Sequence, residues 1–181
     1  MNRKALAIAV LVSASGVQFA NAADGTINFN GELVNQTCTI AVDGVVSPAV
    51  ATVTLPTIST GLLTAAGQVE GQTGFNIQLT NCVGTATTAA AFFNSGASVD
   101  PISGNLKNMT GSANNVQLQL VDQQGGAVIQ AGNTNQIANT TRNTIDGTGA
   151  ANMPYAVQYF ATGATTPGTV VSSVTYNVDY Q

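Results

Sequence analysis

The side chains that could do chemistry in this chain of 181 residues are few and scattered. There is no histidine, which excludes Ser–His and Cys–His nucleophilic pairs and the commonest general base. The eight carboxylates (Asp24, Glu32, Asp43, Glu70, Asp100, Asp122, Asp146 and Asp179) stand singly along the chain. None falls in the spacing of a calcium-binding loop. Asp146-Gly147-Thr148 repeats the triplet of aspartic proteases. It occurs once where a catalytic dyad needs two carboxylates, and Asp-Gly-Thr-Gly is turn chemistry. Walker and dinucleotide glycine motifs are missing. Asn35, Asn108 and Asn139 each open an Asn-x-Thr triplet, but a chain this rich in Asn and Thr makes such triplets by chance. The residues therefore read as those of no enzyme, with no cofactor, metal or small-molecule substrate.

The remaining reactive side chains are Cys38 and Cys82. Their simplest use depends on where the chain goes. Arg3 and Lys4 precede an apolar run, Ala5 to Val12, then small residues up to Ala20-Asn21-Ala22. That is a secretory signal peptide over 1–22, with an apolar core too short to span a bilayer. In an exported chain an even cysteine count predicts a disulfide. Closing a loop of this size is worth about 4 kcal/mol in the chain-entropy model. A free-thiol or zinc role fits worse, because two cysteines without a histidine are too few ligands.

Removing Arg3 and Lys4 with the leader leaves Lys107 and Arg142 against eight acids, a net charge of −6. Two cations cannot neutralise many phosphates, so nucleic acid is not a partner. With 7% charged and 44% apolar residues, the chain can bury a core under a polar but largely uncharged surface.

The pattern that must position these residues has period two, interrupted by Gly, Asn, Pro, Asp and Thr clusters. It predicts strands at 26–34, 37–42, 50–55, 74–82, 88–93, 106–109, 116–121, 127–130, 155–162 and 169–181. A short helix is expected within 60–67, and exposed polar loops near 110–115 and 132–152. Many short strands at this spacing predict an all-β fold, an immunoglobulin-like β-sandwich. With few charges to guard them, its sheet edges must be paired or covered.

The two ends carry the most information. Ile27, Phe29, Gly31 and Leu33 fall on one face of an alternating segment, with Asn28, Asn30 and Glu32 on the other. Termini fray unless paired, so a strand pattern this close to the cleavage site asks for a sheet. It is either an ordinary first strand or one added to another molecule. At the other end, Val174, Tyr176, Val178 and Tyr180 share a face.

Taken together, four stretches resemble the subunits of chaperone–usher pili, most closely the type 1 fimbrial major subunits. They are Ile27-Asn-Phe-Asn-Gly31-Glu-Leu-Val34 before Cys38, and Gly74-Phe-Asn-Ile-Gln-Leu-Thr-Asn-Cys82. The others are Tyr159 to Gly168, and a C-terminal strand with penultimate Tyr180 and Gly168 fourteenth from the end. The resemblance implies an incomplete immunoglobulin-like sandwich, the pilin fold. It would lack its last strand and carry an N-terminal donor strand. The implied organisation is signal peptide 1–22, donor extension 23–35 and pilin domain 36–181. A groove beside Gly168, Val174, Tyr176, Val178 and Tyr180 would be filled first by a strand of a periplasmic chaperone. At the outer-membrane usher, Ile27, Phe29, Gly31 and Leu33 of the next subunit would replace it. The product would be an extracellular fibre on the bacterial surface, used for adhesion. The alternatives are a minor adaptor subunit or a monomeric carbohydrate-binding sandwich. The second would be expected to show aromatic stacking residues, and the chain has no Trp.

Overall fold

The computed structural model describes residues 27–28 and 30–181. The expected signal peptide and Phe29 lie outside the described residues. The chain divides into a unit ending at Glu32 and a second unit, Leu33–Gln181.

The second unit contains ten strands: β1 Thr37–Val42, β2 Val45–Val46, β3 Val69–Val83, β4 Thr88–Phe93, β5 Leu106–Lys107, β6 Val116–Asp122, β7 Val128–Ile129, β8 Asn143–Thr144, β9 Ala151–Ala161 and β10 Tyr176–Tyr180. A 3-10 turn spans Thr60–Leu62 and a single helical turn, α1, spans Gln136–Asn139. The larger sheet has the order β2-β1-β3-β9-β6-β5, with β7 also on β6. The smaller runs β10-β4-β8. All the pairings are antiparallel.

Alternation explains the layering. Phe75, Ile77 and Leu79 of β3, Met153, Tyr155 and Val157 of β9, and Leu118 and Leu120 of β6 face one core. Ala89, Ala91 and Phe93 of β4 meet them from the opposite sheet. Phe93 packs edge-on against Tyr155 with ring centroids 5.2 Å apart, and against Phe75 at 6.5 Å. The Tyr155 hydroxyl accepts the Ala91 N–H at 2.8 Å, so the two sheets are also joined by a hydrogen bond.

β3 begins at Val69, earlier than its alternation suggests, because the register with β9 shifts between Glu70 and Thr73. Gly71 sits in that bulge at φ +69°, and a Cβ there would press on the Tyr159 ring. Only glycine suits both demands. β9 likewise starts at Ala151 and runs through Pro154. The Pro154 carbonyl faces Gln123, so its nitrogen faces that side too, one residue past the last β6 pair, Asp122↔Tyr155. The missing N–H therefore costs the β3 ladder nothing.

The stretch 132–152, expected as an exposed loop, holds α1 and β8. Gln136 is buried, accepting the Phe93 N–H at 2.9 Å and donating to the Phe93 carbonyl at 3.0 Å. Its side-chain amide completes the edge of β4 much as another strand would. The segment 110–115 is also less exposed than expected, since Ala113 is buried.

Candidate functional site

β10 lies at the edge of the smaller sheet. Tyr176↔Phe93 through Tyr180↔Ala89 pair it with β4, and no described strand pairs with its other side. Upstream, residues 170, 172 and 174 continue the alternation, half-buried, into 176, 178 and 180. Val170, Val174, Tyr176, Val178 and Tyr180 pack on the core without being enclosed by it. Burial raises the Tyr180 hydroxyl above its ordinary pKa, as it does that of Tyr159.

A second unfinished segment precedes the 3-10 turn. Ala51, Val53, Leu55 and Ile58 alternate half-buried against exposed neighbours, with Val53 and Leu55 on the same core. The expected strand at 50–55 has the side-chain pattern of a strand but no ladder. Among the described residues, no backbone hydrogen bond reaches 50–58. One side-chain bond pins it, from the Tyr159 hydroxyl to the Pro56 carbonyl at 3.2 Å.

Between Thr57–Thr60 and Thr165–Val171 lies a cavity of about 630 Å³, with Leu63, Val116 and Tyr159 among its apolar walls. Gly168 is on its rim for a packing reason. A Cβ there would collide with Ala113 N and with Ser112, and one on Gly111 would collide with the Thr169 carbonyl. This close approach lets Asn108 act as a clamp. Its Oδ1 accepts the Val171 N–H at 2.8 Å while its Nδ2 donates to the carbonyls of Ala113 and Thr169.

The far end of β10 is held by Arg142. Its guanidinium bridges the Asp179 carboxylate at 2.6 Å, the Asp179 carbonyl at 2.9 Å and Thr88 Oγ1 at 3.1 Å. Among the described residues this is the one salt bridge. The segment behind Arg142 is itself anchored. Burial would raise the Asp122 carboxyl, but bonds from the Thr141 hydroxyl and N–H, and from the N–H groups of Gln124 and Gly125, outweigh burial and hold it below its usual range.

Cys38 and Cys82 form the expected disulfide, joining the start of β1 to the end of β3. Beside it, Gln36 reaches the Cys38 sulfur through Nε2 and accepts the Ala86 N–H at 3.2 Å. The Thr87 and Thr88 N–H groups meet the Gln181 carbonyl. The root of the N-terminal segment and the end of β10 thus meet one turn, between β3 and β4. Residues 30–36 form no strand. Leu33 is fully exposed; in the first unit Ile27 is 78% exposed and Gly31 has open space where a Cβ would stand.

Of the residues singled out in the sequence, the structure gathers Gly168, Val174, Tyr176, Val178 and Tyr180 on one edge segment, and pairs Cys38 with Cys82. The wall formed by Ala51, Val53, Leu55 and Ile58, the clamp at Asn108 and the lock at Arg142 were not anticipated. Apolar alternation ending at Pro56 was a legible signal for the wall. The sequence held none for the other two.

The family model for type-1 fimbrial protein A (FimA) matches residues 55–181. The major fimbrial subunit SMF-1 of Stenotrophomonas maltophilia is 42% identical over 165 residues, 89% of this chain and 95% of that protein. The type-1 fimbrial protein A chain of Escherichia coli is 35% identical over the full length of both chains. The crystal structure of the P pilus rod subunit PapA superposes with a TM-score of 0.59 at 18% identity, covering 80% of this chain and 99% of that one. This last likeness bears on fold alone.

Proposed function

As a member of the type-1 fimbrial protein A family, this chain is, we propose, a structural subunit that polymerises with other pilus subunits into an adhesive fibre on the bacterial surface. Polymerisation works by donor-strand exchange. The groove runs along β10, between it and residues 51–58, and ends in the cavity near Gly168. The donor is the alternating segment around Ile27, Phe29, Gly31 and Leu33 of the next copy.

The observation that carries this reading is the free edge of β10 with its half-buried apolar face. A strand laid there pairs backbone donors and acceptors that are otherwise left to water. It buries Ile, Phe and Leu side chains at roughly 1.5–3 kcal/mol each. A slip of one residue would turn Asn28, Asn30 and Glu32 inward, so register is specified. The contact is head-to-tail and does not close on itself, so it propagates.

The leader sends the chain to the periplasm. There a chaperone strand covers the groove until the outer-membrane usher brings the next donor. Disulfide formation fits that oxidising compartment. The extension 23–35 is the donor and 36–181 the acceptor domain.

Deleting Gly25 to Leu33 tests the scheme. The variant is expected to keep its disulfide and its chaperone binding but to lose the SDS-resistant polymer ladder. Persistent polymers would overturn donor-strand exchange. Replacing Gly31 with Trp should slow polymerisation while leaving the fold intact, and a normal fibre yield would show that the site facing Gly31 is not tight.

A further inference from the structure

Asn30-Gly31 is the one Asn-Gly pair in the chain. Both residues are exposed, and a Cβ on Gly31 would meet nothing within 4 Å. Among the described residues, neither has a hydrogen-bond partner. Glycine leaves the backbone nitrogen unshielded and the backbone free to rotate. This is the arrangement in which an asparagine side chain is attacked by the next residue's amide.

We propose that Asn30 is a site of spontaneous covalent modification that retires subunits left unassembled. The Gly31 nitrogen attacks Asn30 Cγ. A C–N bond forms, the Cγ–Nδ2 bond breaks, and ammonia leaves with the proton lost from the Gly31 nitrogen. Water then opens the five-membered imide at either carbonyl. The product is aspartate or isoaspartate at position 30. Nothing is oxidised or reduced, and solvent water is the one co-reactant.

The consequence rests on the donor-strand reading. Isoaspartate routes the main chain through the side-chain carbon and adds one backbone atom between Phe29 and Gly31. The residues on either side of it can then no longer enter successive pockets in one register. Either product also adds a negative charge beside the apolar face. In the fibre, the ladder would fix the extended backbone around Asn30 and Gly31 and hold the nitrogen away from Cγ.

Of the three Asp-Gly pairs in the chain, two are internal controls. Asp43-Gly44 and Asp146-Gly147 can form the same ring, but their carboxylates are held. Asp43 Oδ1 accepts the Asn76 N–H at 2.8 Å. Asp146 Oδ1 accepts from the Thr148 hydroxyl and N–H and the Ala150 N–H.

The test compares full-length monomeric subunit with assembled fibre, aged side by side in mildly alkaline buffer. Peptide mass mapping and isoaspartyl methyltransferase labelling follow position 30. Modification is expected to accumulate in the monomer and to be about tenfold or more slower in the fibre, the protection expected of a hydrogen-bonded strand. Positions 43 and 146 should stay unmodified in both. An unmodified position 30 in aged monomer, or equal rates in monomer and fibre, would overturn the proposal. Aged monomer should lose polymerisation in proportion to its isoaspartate content, while aged Asn30→Gln should not. If aged, modified monomer polymerises normally, the retirement role is wrong even though the donor-strand reading stands. If the Gly25–Leu33 deletion still polymerises, that reading falls while the chemistry at Asn30 is judged on its own mapping.

Discussion

β9 and β10 are written in the same alphabet and end in different surroundings. β9 alternates Ala151, Met153, Tyr155 and Val157 against polar or small residues, and β10 with its approach alternates Val174, Tyr176, Val178 and Tyr180. β9 is flanked by β3 on one side and β6 on the other, and Met153 and Ala156 are completely enclosed. β10 has β4 on one side, and its inward residues remain half-buried. Side-chain pattern therefore decides which face a strand turns inward. The number of neighbouring strands decides how far that face is covered. In this molecule the half-covered apolar positions include a row from Val170 through Tyr180, together with Val53 and Leu55, beside backbone that has no ladder partner, which is where a partner strand would add the most.

The contrast can be broken or sharpened by substitution. The largest effect is expected on the covered side. Replacing both cysteines by serine should cost about 4 kcal/mol in chemical denaturation and loosen the root of the N-terminal segment at Gln36. A loss below about 1 kcal/mol would mean that the paired sheet does not depend on the bridge.

Ile77→Ala, at a fully enclosed site, should cost the monomer about 3 kcal/mol. Val178→Ala, on the open face, should cost the monomer about 1 kcal/mol or less. The second loss should grow in the fibre, where a donor strand would cover the site. Equal costs for Val178→Ala in monomer and fibre would show that β10 gains no cover on assembly.

Tyr155 gives a pH-dependent test of the covered side. Burial first, with the nearby Asp122 charge, pushes its hydroxyl from 10.0 up to about 12. The folded state therefore resists forming the phenolate. The stability this contributes is fully present below pH 10 and is lost as pH rises toward 12. Tyr155→Phe should flatten that alkaline loss. It should also cost about 2 kcal/mol at neutral pH by orphaning the Ala91 N–H. An unchanged alkaline transition would place the titrating group elsewhere.

The smallest effect is expected at Arg142. Its bridge to Asp179 is partly exposed, so Arg142→Met should cost about 1 kcal/mol or less. Its signature is local: faster amide exchange at 176–180, with β9 unchanged. Uniformly faster exchange would assign Arg142 to global stability and not to the groove edge.

Particular residues show how far the sequence could be read. β1 falls on its expected range as a short alternation around Cys38, and β4 as a short apolar run in which three successive alanines are buried. The start of β3 escaped because the bulge at Gly71 breaks the alternation. The start of β9 escaped because Pro154 reads as a strand breaker unless its missing N–H is known to face the side where β6 has ended. Gln136 looked like a loop residue, since nothing local shows that its amide will cap Phe93. The disulfide followed from an even cysteine count in an exported chain. The segment 50–55 was legible as alternating, but its lack of a partner was not.

The amino-acid sequence by itself determined the period-two pattern, the turn positions and the inward face of the alternating strands, because these depend on neighbours two to four residues apart. Only the tertiary structure decided that β10 stands at an edge, that 51–58 is left without a ladder, and that a cavity opens beside Gly168. Those are statements about which distant segments become neighbours, and about one neighbour that this chain does not supply to itself within Leu33–Gln181.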